Sequence, residues 1–230
     1  MLPGVQTLQR SEHCGNLQVD PNRLSIRHLP IKRGFDILFS LAALLCGLPL
    51  YLLIALLIKL SSSGPVLFRQ ERVGRGGKLF SCLKFRTMIP DAEKALTDLL
   101  QIDPVLYQEW NDCRKLSRDP RVTPIGRLLR KTSLDELPQF WNVLKGDLSV
   151  VGPRPVCIDE IEEFYGAKAY KILKVRPGLT GIWQTSGRSD ISYRERVEMD
   201  EMYVDLHSFR FDLILILKTI FRIVRPRGAR

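Results

Sequence analysis

A chain of 230 residues has room for one ordinary domain or two small ones, with a sizeable buried core. Its 45% hydrophobic and 26% charged residues exclude collagen-like, low-complexity and wholly disordered classes. Thirty-five Lys and Arg against 25 Asp and Glu leave a net charge of +10, which predicts an anionic partner: nucleic acid, anionic lipid or a phosphorylated substrate.

The five cysteines (Cys14, Cys46, Cys82, Cys113, Cys157) are odd in number and far apart. They form no Cys-x-x-Cys pair, so neither a disulfide framework nor a zinc site is expected, and the thiols should be reduced and face the cytosol. His13, His28 and His207 are too scattered for a metal cluster.

In chain order, residues 1–30 are polar and unpatterned and read as a flexible segment. Residues 31–60 carry the first strong signal. From Ile37 to Ile58 there is no charge, and a helix of that length at ~1.5 Å per residue is long enough for a ~30 Å hydrocarbon layer. The segment starts too far in, and is too long, for a cleavable signal peptide. Pro49 lies near its middle, where the ring removes a backbone N–H and collides with the carbonyl of Leu45, and Gly47 loosens the same turn. Arg27, Lys32 and Arg33 precede the segment, and Lys59, Arg69, Arg72, Arg75 and Lys78 follow it. The positive-inside bias then holds both flanks on the cytoplasmic side, which a straight span cannot satisfy. A re-entrant helical hairpin broken at Pro49 is the expectation, with a kinked single span as the alternative.

Residues 61–230 read as a compact domain. Val66–Phe68 and Phe80–Phe85 are strand-like runs on either side of Gly74-Arg75-Gly76-Gly77, a pattern that predicts a hairpin with a plain turn, since no Walker or Gly-x-Gly-x-x-Gly pattern accompanies the glycines. Ala92–Leu100 and Pro104–Leu116 read as helices, ended by Asp119-Pro120. Pro138 is tolerated only in a first helical turn, so the helix carrying Phe140, Trp141 and Leu144 should begin near Asp135 and Glu136. Two readings of those acids stand side by side. Ser133 to Glu136 matches a capping box, and acids here favour the helix dipole by ~0.3–1 kcal/mol. Alternatively, with Arg127, Arg130 and Lys131 before them and Arg154 after, they form phosphoryl-transfer equipment, in which one carboxylate attacks phosphorus, another holds Mg2+, and Arg forks bind phosphate oxygens.

The whole set of motifs resembles one family, the bacterial sugar transferases, also called monotopic phosphoglycosyl transferases. The resemblance rests on KRGFD at 32–36, the Pro-broken apolar helix, KFRTM at 84–88, TSLDELPQFWNVLKGDLSVVGPRP at 132–155 and VRPGLTGIWQTSGR at 175–188, in that order. It implies a mostly helical α/β monotopic membrane protein: a re-entrant N-terminal membrane helix and a compact cytoplasmic catalytic domain with interfacial amphipathic helices, on a bacterial inner membrane. The implied reaction moves a hexose-1-phosphate from a UDP-hexose, galactose or glucose, to undecaprenyl phosphate with release of UMP, as the first step of exopolysaccharide assembly. In that scheme Asp135 is the nucleophile of a covalent, ping-pong mechanism and Glu136 ligates Mg2+. Arg130, Arg154 and Arg188 match basic residues near the phosphates. Lys84 and Arg86 match a basic motif with either a binding or a structural role, and Pro49 matches the helix-breaking proline, although Leu48 stands where the family often has Ser.

The C-terminal run from Phe209 to Phe221, with Lys218, Arg222, Arg225, Arg227 and Arg230, suits either an interfacial helix or a helix packed on the core. A non-catalytic, membrane-tethered assembly factor is the alternative to an enzyme. The positive charge gathers beside apolar segments and no nucleic-acid signature accompanies it, so no nucleic-acid partner is expected; a homodimer is compatible with the family.

Overall fold

The computed structural model describes residues 29–113, 116–186 and 191–224. Helix α1 (Leu29–Ser61) is a single element that continues through Pro49. Strands β1 (Leu67–Val73) and β2 (Leu79–Phe85) form an antiparallel hairpin with Leu67 opposite Phe85 and Val73 opposite Leu79. Their connection is the expected plain turn: Gly76 and Gly77 take φ of 71° and 80°, open to glycine without strain, and the Gly76 N–H donates to the carbonyl of Leu173 at 2.8 Å. Helices α2 (Ala92–Ile102), α3 (Pro104–Cys113) and α4 (Pro124–Thr132) follow. A 3-10 turn (Leu134–Glu136) then leads to α5 (Gln139–Lys145).

Strand β3 (Ser149–Val151) pairs in parallel with β4 (Gly178–Thr180). Between them lie α6 (Ile158–Glu160), a π-helical turn (Ile161–Tyr165) and α7 (Ala169–Ile172). Helices α8 (Ile182–Ser186), α9 (Tyr193–Leu206) and α10 (Phe209–Val224) complete a mostly helical α/β fold. The two strand pairs are separate two-stranded sheets, so the strands staple loops rather than build a central sheet.

Three apolar clusters organise the domain. One joins Val73 and Val156 to the π-helical turn, α7 and Val197 of α9. A second gathers Val143, Leu148, Val150, Val151, Tyr203 and Leu215, with Phe35 and Phe39 of α1 packed against it. The third joins Ile54 and Ile58 of α1 to Phe85 and Leu129, with Leu134 and Leu137 against them. Each fully buried Leu or Ile in such a cluster contributes roughly 1.5–3 kcal/mol.

Helix α1 thus touches the same body at both ends. Near its start, Lys32 donates to the Val151 carbonyl at 3.0 Å and pairs with Asp212 at 2.5 Å. Arg33 donates to the carbonyls of Val143 and Leu144, and Asp36, 2% exposed, accepts the Val150 N–H at 3.0 Å. The KRGFD run therefore ties the helix to β3 and to the carbonyl end of α5, where cations offset the helix dipole. Near its finish, Tyr51 Oη donates to the Leu137 carbonyl at 2.9 Å, and Arg86 donates to the carbonyl and hydroxyl of Ser62. Between these attachments none of residues 41–50 is buried. Leu38, Leu45, Leu52 and Leu60 are 70%, 65%, 63% and 75% exposed, an apolar surface far larger than water tolerates on a soluble domain. The helix is long and apolar enough to enter a membrane.

Helix α10 packs one face on the core, as the second expectation for its segment has it, and leaves another apolar face exposed. Leu215 and Ile216 are buried in the second cluster, while Leu213, Ile214, Leu217, Ile220 and Phe221 are exposed. Arg225, Arg227 and Arg230 lie outside the described residues.

Candidate functional site

The residues from Thr87 to Glu136 show how the chain builds an acid-and-base cluster. After β2, the segment 87–89 pairs with 121–123: Met88 bridges Val122, and the Thr123 N–H donates to the Thr87 carbonyl at 3.0 Å. Thr123 then caps α4, its hydroxyl accepting from the Gly126 N–H at 3.0 Å. Gly126 has no alternative, because a Cβ there would stand 2.0 Å from the Thr87 carbonyl oxygen. This close approach sets the register of α4, and one turn later Arg130 Nε donates to Thr87 Oγ1 at 2.9 Å.

Helix α4 ends at Ser133, a non-glycine residue at φ 59°. This left-handed residue turns the chain at once into the 3-10 turn carrying Asp135 and Glu136, so the acids precede α5 instead of lying in its first turn. The capping box anticipated from Ser133 and Glu136 does not form: the Ser133 side chain makes no capping hydrogen bond, and Glu136 Oε1 pairs with Lys84 Nζ of β2 at 2.9 Å. Leu134 and Leu137, on either side of the acids, pack into the third cluster against Ile54 and Ile58 of α1. The acids are thereby fastened directly to the membrane-prone helix.

Asp135 is half-buried, and burial pushes its carboxyl from 3.8 up to about 6, helped by the adjacent Glu136 and opposed by Lys84 and Arg130. Burial draws the Arg130 guanidinium below its usual value, and the fields of Asp135 and Asp119 draw it back up. The cluster is a carboxylate held near the edge of ionisation at neutral pH between two cations, with a second carboxylate beside it. A carboxylate in that state is a usable nucleophile or base.

The other predicted residues divide. Lys84, Arg130, Asp135 and Glu136 come together. Arg154 stands with its guanidinium carbon 5.2 Å from the ring centre of Trp183, and it acts with Lys84, Arg72 and Glu136 on the buried Cys82 thiol, which burial pushes up to about 11. It is not among the charges that set the Asp135 carboxyl, and it stands with Trp183 and Asp200. Arg86 is 7% exposed and serves as a strut to Ser62 at the end of α1. Arg188 lies outside the described residues.

Several contributors carry no predicted role, although Thr87, Asn142 and Trp183 stand inside the quoted motifs. Thr87 positions Arg130. Asn142 accepts from the Leu83 N–H and donates to the Ser81 carbonyl and to Asp147, binding β2, and with it Lys84, to α5. Trp183 lies between Arg154 and Arg196, whose guanidinium carbon is 5.0 Å from the ring centre. Asp200, 2% exposed, accepts from Tyr165 Oη at 3.0 Å and from the Arg154 N–H at 3.4 Å, holding the Gly-Pro-Arg-Pro backbone. Membership in a motif gave no sign of what Thr87, Asn142 or Trp183 holds, and Asp200 lies outside all the quoted motifs.

For a metal, the cluster offers Glu136 with Asp135 adjacent, and no group of three or more His, Cys, Asp or Glu that could hold an ion occurs among the described residues. That donor set fits Mg2+, which characteristically takes one or two carboxylates and completes its octahedron with water and substrate phosphates.

Comparison with known proteins gives the same family as the motifs. A family model described as "Bacterial sugar transferase" matches residues 27–226. The chain is 49% identical over 198 residues to the exopolysaccharide production protein ExoY of Rhizobium meliloti, covering 86% of this chain and 87% of that protein. It is 45% identical over 200 residues to the undecaprenyl-phosphate galactose phosphotransferase of Salmonella typhimurium, covering 86% of this chain and 41% of that protein. A third relative, 38% identical over 207 residues, is the UDP-N-acetylgalactosamine-undecaprenyl-phosphate N-acetylgalactosaminephosphotransferase of Aeromonas hydrophila, with 87% of this chain and 45% of that protein covered.

Proposed function

The chain belongs to the bacterial sugar transferase family and is a sugar-phosphate transferase, and on that premise we propose that it transfers hexose-1-phosphate from a UDP-hexose to undecaprenyl phosphate, beginning exopolysaccharide assembly. The hexose is galactose or glucose. The observation that carries the reading is Asp135: a half-buried carboxylate between Arg130 and Lys84, with its carboxyl pushed up to about 6 and so mostly ionised at pH 7.

In the first step a carboxylate oxygen of Asp135 attacks the sugar-bearing phosphorus. The bond from that phosphorus to the bridging oxygen breaks, and UMP leaves with the electron pair. In the second, a phosphate oxygen of undecaprenyl phosphate attacks the phosphorus of the adduct and expels the Asp135 carboxylate, giving undecaprenyl-diphosphate-hexose. Arg130 and Arg154 offer guanidinium forks to the phosphate oxygens, and Lys84 holds Glu136 in place and lowers the Asp135 carboxyl. Glu136 would hold Mg2+, which when bound offsets the charge of the diphosphate.

Helix α1 is read as re-entrant, entering and leaving the cytoplasmic leaflet. Two features support this: attachment of residues 32–36 and of residues 51–62 to one body, and the unburied apolar stretch between them. The site then sits at headgroup depth, where a polyprenyl phosphate presents its phosphate.

The test is mass spectrometry of protein quenched after exposure to UDP-galactose or UDP-glucose and Mg2+ without acceptor lipid. A hexose-phosphate mass on the peptide containing Asp135 is expected, absent in Asp135→Asn; active protein with no adduct would refute the covalent scheme. Labelling of cysteines introduced just before residue 31 with an impermeant reagent tests the topology, and exclusive periplasmic labelling would overturn the hairpin.

A further inference from the structure

A cavity at the foot of α1, away from the acid cluster, is built like a receptor for an anion with an apolar tail. Five cationic side chains line it, Lys32, Arg33, Arg75, Lys174 and Arg176, against two carboxylates, Asp36 and Asp212. Both carboxylates are engaged: Asp212 by Lys32 at 2.5 Å and by Tyr203 Oη at 2.8 Å, and Asp36 by the Val150 N–H. Arg33 caps the carbonyl end of α5 through both terminal nitrogens, at 2.6 and 2.9 Å. Among the described residues Arg176 bonds through its Nε alone, which donates to the Gly146 carbonyl at 2.8 Å. Neither Arg176 nor Lys174 has an ion pair among the described residues; Lys174 stands over the Tyr170 ring at 5.7 Å.

Two further observations favour an anion as the ligand. Ser149, 1% exposed, lines the same cavity with a buried hydroxyl that has no hydrogen-bond partner among the described residues, and such groups are rare without a ligand or water to satisfy them. Burial, and then the like charges of Arg33 and Arg75, draw the Arg176 guanidinium below its usual value, and Asp36 only partly offsets them. Val151, Val175 and Phe209 supply an apolar wall. The cavity opens where α1 and α10 begin, and Ile31, Leu38, Leu213 and Leu217 of those helices are exposed. On the membrane placement proposed above, that is the level of the lipid headgroups.

We propose that this cavity is a binding site for the phosphate ester of an anionic phospholipid, separate from the sites of both reacting substrates. Arg176 and Lys174 take the phosphate, Ser149 donates its hydroxyl, and the apolar wall receives the glycerol end of the acyl chains. The lipid closes the junction between α1 and the domain through Arg33, on the carbonyls of Val143 and Leu144, and Arg176, on that of Gly146 just beyond α5.

The experiment is native mass spectrometry of the full chain in neutral detergent, titrated with phosphatidylglycerol or phosphatidylcholine. A single phosphatidylglycerol adduct that survives where phosphatidylcholine is lost is expected. Lys174→Gln/Arg176→Gln should lower its occupancy about tenfold, as loss of charge-assisted phosphate bonds does. The charge-matched control Lys94→Gln/Arg194→Gln should leave it unchanged. Ser149→Ala, which removes a hydroxyl with no partner, should give a smaller loss without unfolding. Millimolar inorganic phosphate and undecaprenyl phosphate are the competing arms, and neither should displace the adduct. Equal retention of phosphatidylcholine, an equal loss in the control, no loss in Ser149→Ala and the double variant, or displacement by either competitor would overturn the site. UMP release measured on the same preparations separates the two proposals: enzyme that still turns over but holds no lipid refutes this site alone.

Discussion

Lowering the pH through 6 should silence the first half-reaction by protonating Asp135. With its carboxyl at about 6, roughly nine-tenths of the side chain is ionised at pH 7 and about one-tenth at pH 5, so the rate of UMP release should fall about tenfold across that interval. The neighbours give the prediction its sign. Glu136 raises the Asp135 carboxyl by like charge, whereas Lys84 lowers it. Glu136→Gln should therefore move the midpoint of the profile to lower pH, and Lys84→Met should move it higher, whatever either substitution does to the plateau. The assay is single-turnover UMP release with donor below saturation, so that the profile reports the free enzyme, each variant being normalised to its own plateau. A profile flat between pH 5 and 7, or two variants shifting in the same direction, would refute this account of the carboxylate.

Three other predictions concern what holds the site in place. Lys32→Met leaves Asp212, 3% exposed at its side chain, without its cation; a loss of about 3 kcal/mol in denaturant unfolding is expected, largely restored by adding Asp212→Asn. Asn142→Leu keeps the volume but strands the Leu83 N–H and the Ser81 carbonyl, so an activity loss accompanied by about 3 kcal/mol of lost stability is expected from thermal and chemical unfolding. Asp200 is raised by burial from 3.8 to about 7. The folded state therefore keeps a proton that the unfolded chain releases, and this contribution to stability should decline as pH rises from about 4 to 7. Asp200→Asn should flatten that decline in melting temperatures measured at pH 5 and pH 8; an unchanged slope would count against a raised carboxyl.

Much of this arrangement is legible in short stretches of the chain. An uncharged run around Pro49, the strand pair across the Gly74–Gly77 turn, and acids placed among arginines near 130 and 154 are all local patterns, carried by residues close together in sequence. The capping box was legible too, yet it failed to form. Ser133 turns the chain in the left-handed region, and Glu136 has a stronger partner in Lys84, 52 residues earlier. A local propensity worth ~0.3–1 kcal/mol yields to a charge-assisted pair delivered by tertiary contact. The pair Lys84 and Arg86 shows the same limit: nothing in KFRTM says that Lys84 reaches the acids while Arg86 is buried against Ser62.

From sequence alone came the apolar helix, the charge that calls for an anionic partner, and the inventory of carboxylates and guanidinium groups for phosphate chemistry, because composition and short-range spacing suffice to specify them. Only the folded chain determined that Leu134 and Leu137 lock the acidic turn onto α1, that Thr87 aims Arg130, that Trp183 gathers Arg154 and Arg196, and that KRGFD secures the helix to β3. Those contacts join residues dozens to well over a hundred positions apart, and which of the many possible pairs form is settled by packing the whole domain at once.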